Sequence, residues 1–244
     1  QRDVLDETTW KLCKLLDLGD IVGVSGPLHR TQTGEITIWA TKLTLLSKSL
    51  NPMPEKFHGL QDTETRYRQR YLDLMANPES MQQFKKRIAI IELFRKILNG
   101  RRYVEVETPV LQPIYGGAAA RPFTTHHNAL DALLYMRISP ELYLKRLLVG
   151  GMERVYEFSR NFRNEGIDTR HNPEFTLLEL YQAYADYHVM MEISEELIAT
   201  AAEQIAGGLK LPYGNIEIDY TRPWRRAKYA DLLKEHAGVA MTDI

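Results

Sequence analysis

Cysteine is almost missing from this chain. The 244 residues hold one, Cys13, which excludes an internal disulfide and a thiolate zinc cluster and fits a reducing compartment. No apolar run approaches the ~20 residues that cross a bilayer, so no single segment makes this a membrane protein. Net charge is nearly absent as well: 31 basic side chains against 32 acidic ones leave −1. No broad positive field draws in nucleic acid, and such a partner would have to be met by local basic patches. What is present, 44% hydrophobic and 26% charged residues, is the make-up of an ordinary globular protein with enough chain for a sizeable core. The chain opens on Gln1 rather than Met and stops at Ile244 without a closing signal, so it is expected to be an excerpt of a longer polypeptide. The lack of a targeting segment then carries little weight.

In chain order, residues 4–18 place Leu5, Trp10, Leu12, Leu15, Leu16 and Leu18 at near-helical spacing ahead of Gly19, which predicts a short helix. From Asp20 the texture becomes β-branched and alternating, IVGVSGPLHR and EITIWATKLTLL, around the turn-like Thr31–Gly34. These strands read as the end of a small barrel or, from pattern alone, as an edge hairpin of the main domain. Pro52 and Pro54 mark a linker at 51–60. In TETRYRQRYLDL, Arg66, Arg68 and Arg70 interleave with Tyr67 and Tyr71, a string that can bind nucleic acid but reads in preference as a charged helix packing its tyrosines on the next domain. A longer helix follows Pro78, with Phe84, Ile88, Ile91, Phe94, Ile97 and Leu98 on one face and an end at Asn99-Gly100.

YVEVETPVL then alternates as a strand and meets Pro109. The run GGAAARPF, residues 116–123, lets backbone approach a ligand closely and reads as a loop that closes on substrate. The adjacent His126 and His127 would point to opposite faces of a strand, with no third ligand at suitable spacing, so no zinc site is expected. After a strand reaching Ile138, Ser139 and Pro140 start a helix whose first turn holds Glu141, where an acid suits the dipole. Later come a helix over 186–206, a strand over 211–220, and a helical stretch from Trp224.

The stretch from Arg154 to Tyr184 organises the rest. Alternation places Glu157, Ser159, Asn161, Arg163 and Glu165 on one face and Tyr156, Phe158 and Phe162 on the other, a strand half wet and half dry. After the loop 166–173, Phe175, Leu177, Glu179 and Tyr181 share a face. Paired as a hairpin, the two strands would line one cavity with a cation, two carboxylates, an aromatic plane and a phenol, and Arg170 and His171 would hang over it. A lone Arg-x-Glu on a strand is ordinarily a solvated charged face. The ordered series F-R-N-E, R-H-N-P-E-F, E-L-Y is not.

That series resembles motif 2 of the class II aminoacyl-tRNA synthetases, and its wording resembles the lysyl-tRNA synthetases in particular. GGAAARPF and RYRQRYLDL are similar to the same family, and the helix, strand and Pro109 resemble its motif 1. The resemblance implies an α+β fold, a class II antiparallel sheet flanked by helices, with a partial β-barrel (OB-fold) remnant in front. It divides the chain into 1–50, the end of an anticodon-binding OB-fold; 51–60, the linker; and 61–244, part of a catalytic domain.

It also implies an ATP-dependent, cytoplasmic lysine–tRNA ligase that forms lysyl-adenylate and passes the lysyl group to tRNA(Lys), with Mg2+ alongside ATP and a homodimer meeting at Pro109. By the same resemblance Arg163 is the catalytic residue, touching both the lysine carboxylate and the α-phosphate. Arg163, Glu165, Arg170, His171 and Phe175 would hold ATP; Gly117, Glu141, Arg163, Glu179 and Tyr181 would hold L-lysine; and no residue is assigned to metal. Motif 3 would lie in later sequence, so this stretch alone is expected to show little or no activity. Two alternatives stand beside this: a paralogue that attaches lysine to a translation elongation factor, disfavoured by the strands at 20–50, and a non-catalytic module of the same fold.

Overall fold

The computed structural model describes residues 5–51, 53 and 59–243. Backbone packing divides the chain into two compact units, Gln1–Phe84 and Lys85–Ile244.

In the first unit, helix α1 (Glu7–Cys13) is capped by Asp6, whose carboxylate accepts the Thr9 amide at 2.9 Å. It ends before Leu15, so the expected helix to Leu18 is cut short, and Leu15 and Leu18 stand exposed. Four strands follow: β1 (Ile21–Ser25), β2 (Leu28–Arg30), β3 (Ile36–Ile38) and β4 (Lys42–Ser47). The expected turn forms between β2 and β3, where Gly34 takes a φ of +88° that glycine alone adopts without strain. β1 pairs antiparallel with β4, giving two separate two-stranded sheets. Of the expected linker, residues 52 and 54–58 lie outside the described residues.

RYRQRYLDL folds as two short helices, α2 (Thr63–Arg68) and α3 (Arg70–Ala76), broken at Gln69. The expected packing of tyrosines is reversed here. Tyr67 and Tyr71 are exposed, while Arg66 and Arg70 turn inward onto the fully buried Asp73. Asn77 and Ser80 also donate to that carboxylate. Burial alone would raise the Asp73 carboxyl, but the hydrogen bonds from Asn77, Arg66, Arg70 and Ser80 outweigh it and hold the group well below the usual carboxylate range.

Helix α4 (Pro78–Gly100) matches its expected span. In the second unit its last turns bury Leu98, with Phe94 and Ile97, against the hairpin β9 (Arg154–Phe162) and β10 (Glu174–Gln182). The expected strand over YVEVETPVL shrinks to β5 (Val104–Glu105), parallel to β9, and β6 (Leu111–Gln112). Between them the backbone leaves the ladder after the Val106 amide bonds to the Tyr156 carbonyl at 2.9 Å, and Thr108 turns its hydroxyl to Glu157. β6 pairs with β8 (Ala132–Met136), which pairs with β7 (Thr124–His127). Helix α5 (Glu141–Val149) starts where Ser139 accepts the Glu141 amide at 3.1 Å.

Helix α6 (Tyr187–Ala201) covers the dry face of the hairpin with Ile193 and Leu197, then widens into a π turn that closes at Gly207. The single strand expected at 211–220 is a small hairpin, β11 (Lys210–Tyr213) and β12 (Ile216–Asp219), turned at Gly214. Helix α7 (Tyr229–Ala237) begins later than expected, because the Trp224 amide and the Arg226 side chain are tied to the buried Glu195 of α6. The result is a mixed α+β fold of antiparallel pairs, with the parallel β5 beside β9, and flanking helices. Among the described residues no helix is long and apolar enough to cross a membrane.

Candidate active site

The register of the hairpin determines which side chains meet. Directly opposed residues on an antiparallel pair share a face, and Asn161 faces Phe175, Ser159 faces Leu177, Glu157 faces Glu179 and Val155 faces Tyr181. The expected grouping therefore holds along both strands. The expectation of a half-wet strand does not: Glu157, Ser159 and Asn161 are all buried. The cover comes from segments distant in sequence. The backbones of Arg137 and Phe162 are bonded, and the Arg137 side chain crosses to the Arg160 carbonyl and the Glu157 carboxylate.

One end of this face is cationic and aromatic. Arg163 follows β9 directly, and its amide donates to the Pro173 carbonyl at 2.8 Å, which closes the loop. Its guanidinium lies over the Phe175 ring, 5.1 Å from the centroid. Around them Glu165, Gly166, Arg170, His171, Asn172 and Pro173 complete a cleft of roughly 320 Å³. So Arg163, Glu165, Arg170, His171 and Phe175 do come together.

Asp168 shapes the loop. One carboxylate oxygen accepts the amides of Arg170 and His171 at 2.7 and 2.8 Å, and the other meets His171 Nδ1 at 2.7 Å. Those amide and imidazole contacts hold its carboxyl below the usual range.

The other end is acidic and phenolic. Glu179 accepts from the Ser139 hydroxyl at 2.7 Å and from the Tyr181 hydroxyl at 2.9 Å. Burial, and then the Glu179 charge beside it, push the Tyr181 phenol well above its ordinary value. Glu141 is paired with Lys145, whose ammonium also lies 5.9 Å from the Tyr181 ring centroid. Gly117, with φ +86°, is pressed against this group: a Cβ there would stand 2.8 Å from Glu141 Cβ and 2.9 Å from Ser139 Oγ. Gly117, Glu141, Glu179 and Tyr181 thus form a second cluster. Phe175 and Glu179 are four residues apart on one strand, which separates the two ends by roughly 13 Å.

GGAAARPF runs between the two clusters. Near its start Gly117 packs on Ser139 and Glu141, and at its end the Arg121 backbone pairs with Asn164 at 2.7 Å and with the Glu165 carboxylate at 3.3 Å. Pro109 lies exposed at the turn before β6, its carbonyl taken by the Gln112 side chain.

Sequence reasoning missed Arg137 as the partner of Glu157, Ser139 as the partner of Glu179, and Asp168 as the residue that folds the loop. The first two depend on contacts across 20 and 40 positions, for which no local signal exists. Asp168 had one: an Asp two and three residues before Arg170 and His171 is a turn former. Among the described residues no group of three or more His, Cys, Asp or Glu is arranged to hold a metal ion.

Residues 62–244 match the family of class II tRNA synthetases (D, K and N). The chain is 58% identical over 230 residues to a curated lysine–tRNA ligase from Carboxydothermus hydrogenoformans, covering 94% of this chain and 47% of that protein. It is 56% identical over 239 residues to the one from Syntrophomonas wolfei, covering 98% and 48%. The one from Clostridium novyi is 56% identical over 238 residues, again 98% of this chain and 47% of the relative. The chain spans about half the length of the curated relatives it matches.

Proposed function

The chain belongs to the class II tRNA synthetases of the D, K and N type, and from that premise we propose that it carries the lysine- and ATP-binding hairpin of a lysine–tRNA ligase. The observation that supports this best is the single hairpin face that carries Arg163 stacked on Phe175 at one end and Glu179 held by Ser139 and Tyr181 at the other. An anion and a flat base suit the first end, and an ammonium suits the second.

In this reading ATP lies along the cleft with its base on Phe175, its exocyclic amine toward Glu165, and its outer phosphates toward Arg170 and His171. L-lysine places its α-ammonium toward Glu179 and Glu141 beside Gly117, and its side chain toward Tyr181. Its carboxylate then meets the α-phosphorus. One carboxylate oxygen bonds to phosphorus, the bond to the bridging oxygen breaks, and pyrophosphate leaves with that electron pair. The planar fork of Arg163 touches both reacting anions and stabilises charge that a point-charge lysine would serve less well. Alignment and cationic charge do the work, with no protein nucleophile. The described residues do not by themselves make a metal site, and no step is derived through one; Mg2+ would enter on the phosphates of ATP.

The remaining assignments belong to the same proposal. Residues 1–50 are read as the end of an OB-fold that meets the tRNA(Lys) anticodon, 51–60 as a linker, and 61–244 as part of the catalytic domain, with Pro109 at a homodimer contact. The β1–β4 and β2–β3 pairs and the exposed position of Pro109 are compatible with this. The test is isotope exchange of pyrophosphate into ATP, measured in the full-length protein. Exchange should require lysine and fall by at least about a hundredfold in Arg163→Ala; exchange that survives that change removes the mechanism. Lysyl transfer to tRNA rather than to a protein acceptor separates this reading from the elongation-factor paralogue. No exchange at all would favour the non-catalytic module.

A further inference from the structure

Two buried polar atoms on the hairpin face have no hydrogen-bond partner among the described residues: Asn161 Oδ1 and Arg163 Nε. One accepts and the other donates. They belong to residues two apart on an extended chain, so both side chains leave the same face with Cα atoms roughly 6–7 Å apart. Buried polar groups are rarely left unmet, and two complementary ones side by side call for a second arrangement that joins them.

The two side chains differ in how firmly they are held. Asn161 is fully buried, and its Nδ2 donates to Ser159 Oγ at 2.8 Å. Ser159 in turn donates to the Leu177 carbonyl at 3.3 Å, so the amide plane is set from below. With its nitrogen bonded to Ser159, the amide oxygen is the end left without a partner among the described residues. Among the described residues, Arg163 is held by its backbone bond to Pro173 and by the Phe175 ring under its guanidinium. Phe175 is also the residue that faces Asn161 across the ladder. Donor, acceptor and ring therefore form one cluster, in which the long side chain is the part free to move.

We propose that Asn161 is a positioning residue for Arg163. When a phosphate occupies the cleft, the guanidinium leaves the Phe175 ring, Nε–H donates to Asn161 Oδ1, and the two terminal nitrogens are left aimed at the anion. The inference rests on the nucleotide-site reading above and adds how its central cation is set.

Calorimetric titrations with ATP, AMP and adenosine test it. Asn161→Ala should weaken ATP and AMP about tenfold, the effect of one hydrogen bond to a charged group, and leave adenosine unchanged. In an Arg163→Lys background, which lacks the guanidinium Nε–H, the same substitution should change nothing further. An equal loss for adenosine, or an undiminished loss in that background, overturns the assignment. The Arg163 Nε–H resonance, identified by its disappearance in Arg163→Lys, gives a reading that does not depend on an Asn161 variant folding. It should move downfield when AMP saturates the protein, and a resonance that stays in place overturns the proposal as well. If the unsubstituted protein binds neither ATP nor adenosine, the nucleotide-site reading itself falls and takes this one with it, a result distinct from any failure of Asn161 alone.

Discussion

Glu157 and Glu179 face each other directly across the β9–β10 ladder. Two like charges in that relation repel, and each is held by its own set of donors. Arg137 and Thr108 each donate to Glu157 at 2.7 Å, whereas among the described residues Glu179 has only the neutral hydroxyls of Ser139 and Tyr181. The first carboxylate is paired with a cation and the second is not.

That division makes Arg137 a structural cation. Arg137 and Glu157 are both about 95% buried, so Arg137→Ala should destabilise the protein by about 3–5 kcal/mol, because it strands a buried carboxylate. The pair Arg137→Met with Glu157→Gln should recover most of that loss. Urea unfolding of the three proteins checks both statements.

Glu179 carries the opposite expectation. On the proposed reading, Glu179→Gln should weaken L-lysine by at least about tenfold while ATP binding stays within about twofold, since the Arg163–Phe175 end lies farther along the strand. Tyr181→Phe removes one hydrogen bond to that carboxylate and should cost lysine about threefold to tenfold. Calorimetric titration with each ligand separates the two ends.

Gly117→Ala should act on the Glu141–Glu179 cluster through crowding. Its Cβ would lie 2.8 Å from Glu141 Cβ and 2.9 Å from Ser139 Oγ, and its φ of +86° disfavours any side chain by about 1–2 kcal/mol. A lower melting temperature together with weaker lysine binding is the expected outcome.

Asp73 sets an acid limit for the first unit. A carboxyl whose folded value lies below its unfolded one contributes stability that is complete above the unfolded value, about 3.9, and is lost as the pH falls toward the folded one. Helical circular dichroism should therefore decline below about pH 4. Asp73→Asn should be less stable at neutral pH and should show a shallower acid dependence.

The hairpin was legible because its period-2 pattern is long and strict, and strand pairing follows from it almost without choice. The wet or dry character of its polar face was not, because burial there depends on Arg137 and the segment around Thr108, which approach from 20 and 49 residues away. The tyrosine-arginine string misled for a related reason. Counted by polarity, Arg66 and Arg70 belong outside, and only the buried Asp73 explains their inward turn. The short β5 and the hairpin at Gly214 reflect boundary effects that propensity resolves poorly.

The turn at Asp168 has one more result. Because its carboxylate consumes the backbone N–H groups of Arg170 and His171, neither amide is left to cradle an anion as a glycine-rich phosphate loop does. On the proposed nucleotide-site reading, a triphosphate tail at this mouth would be met by the exposed Arg170 side chain rather than by backbone, so nucleotide affinity should weaken with rising salt.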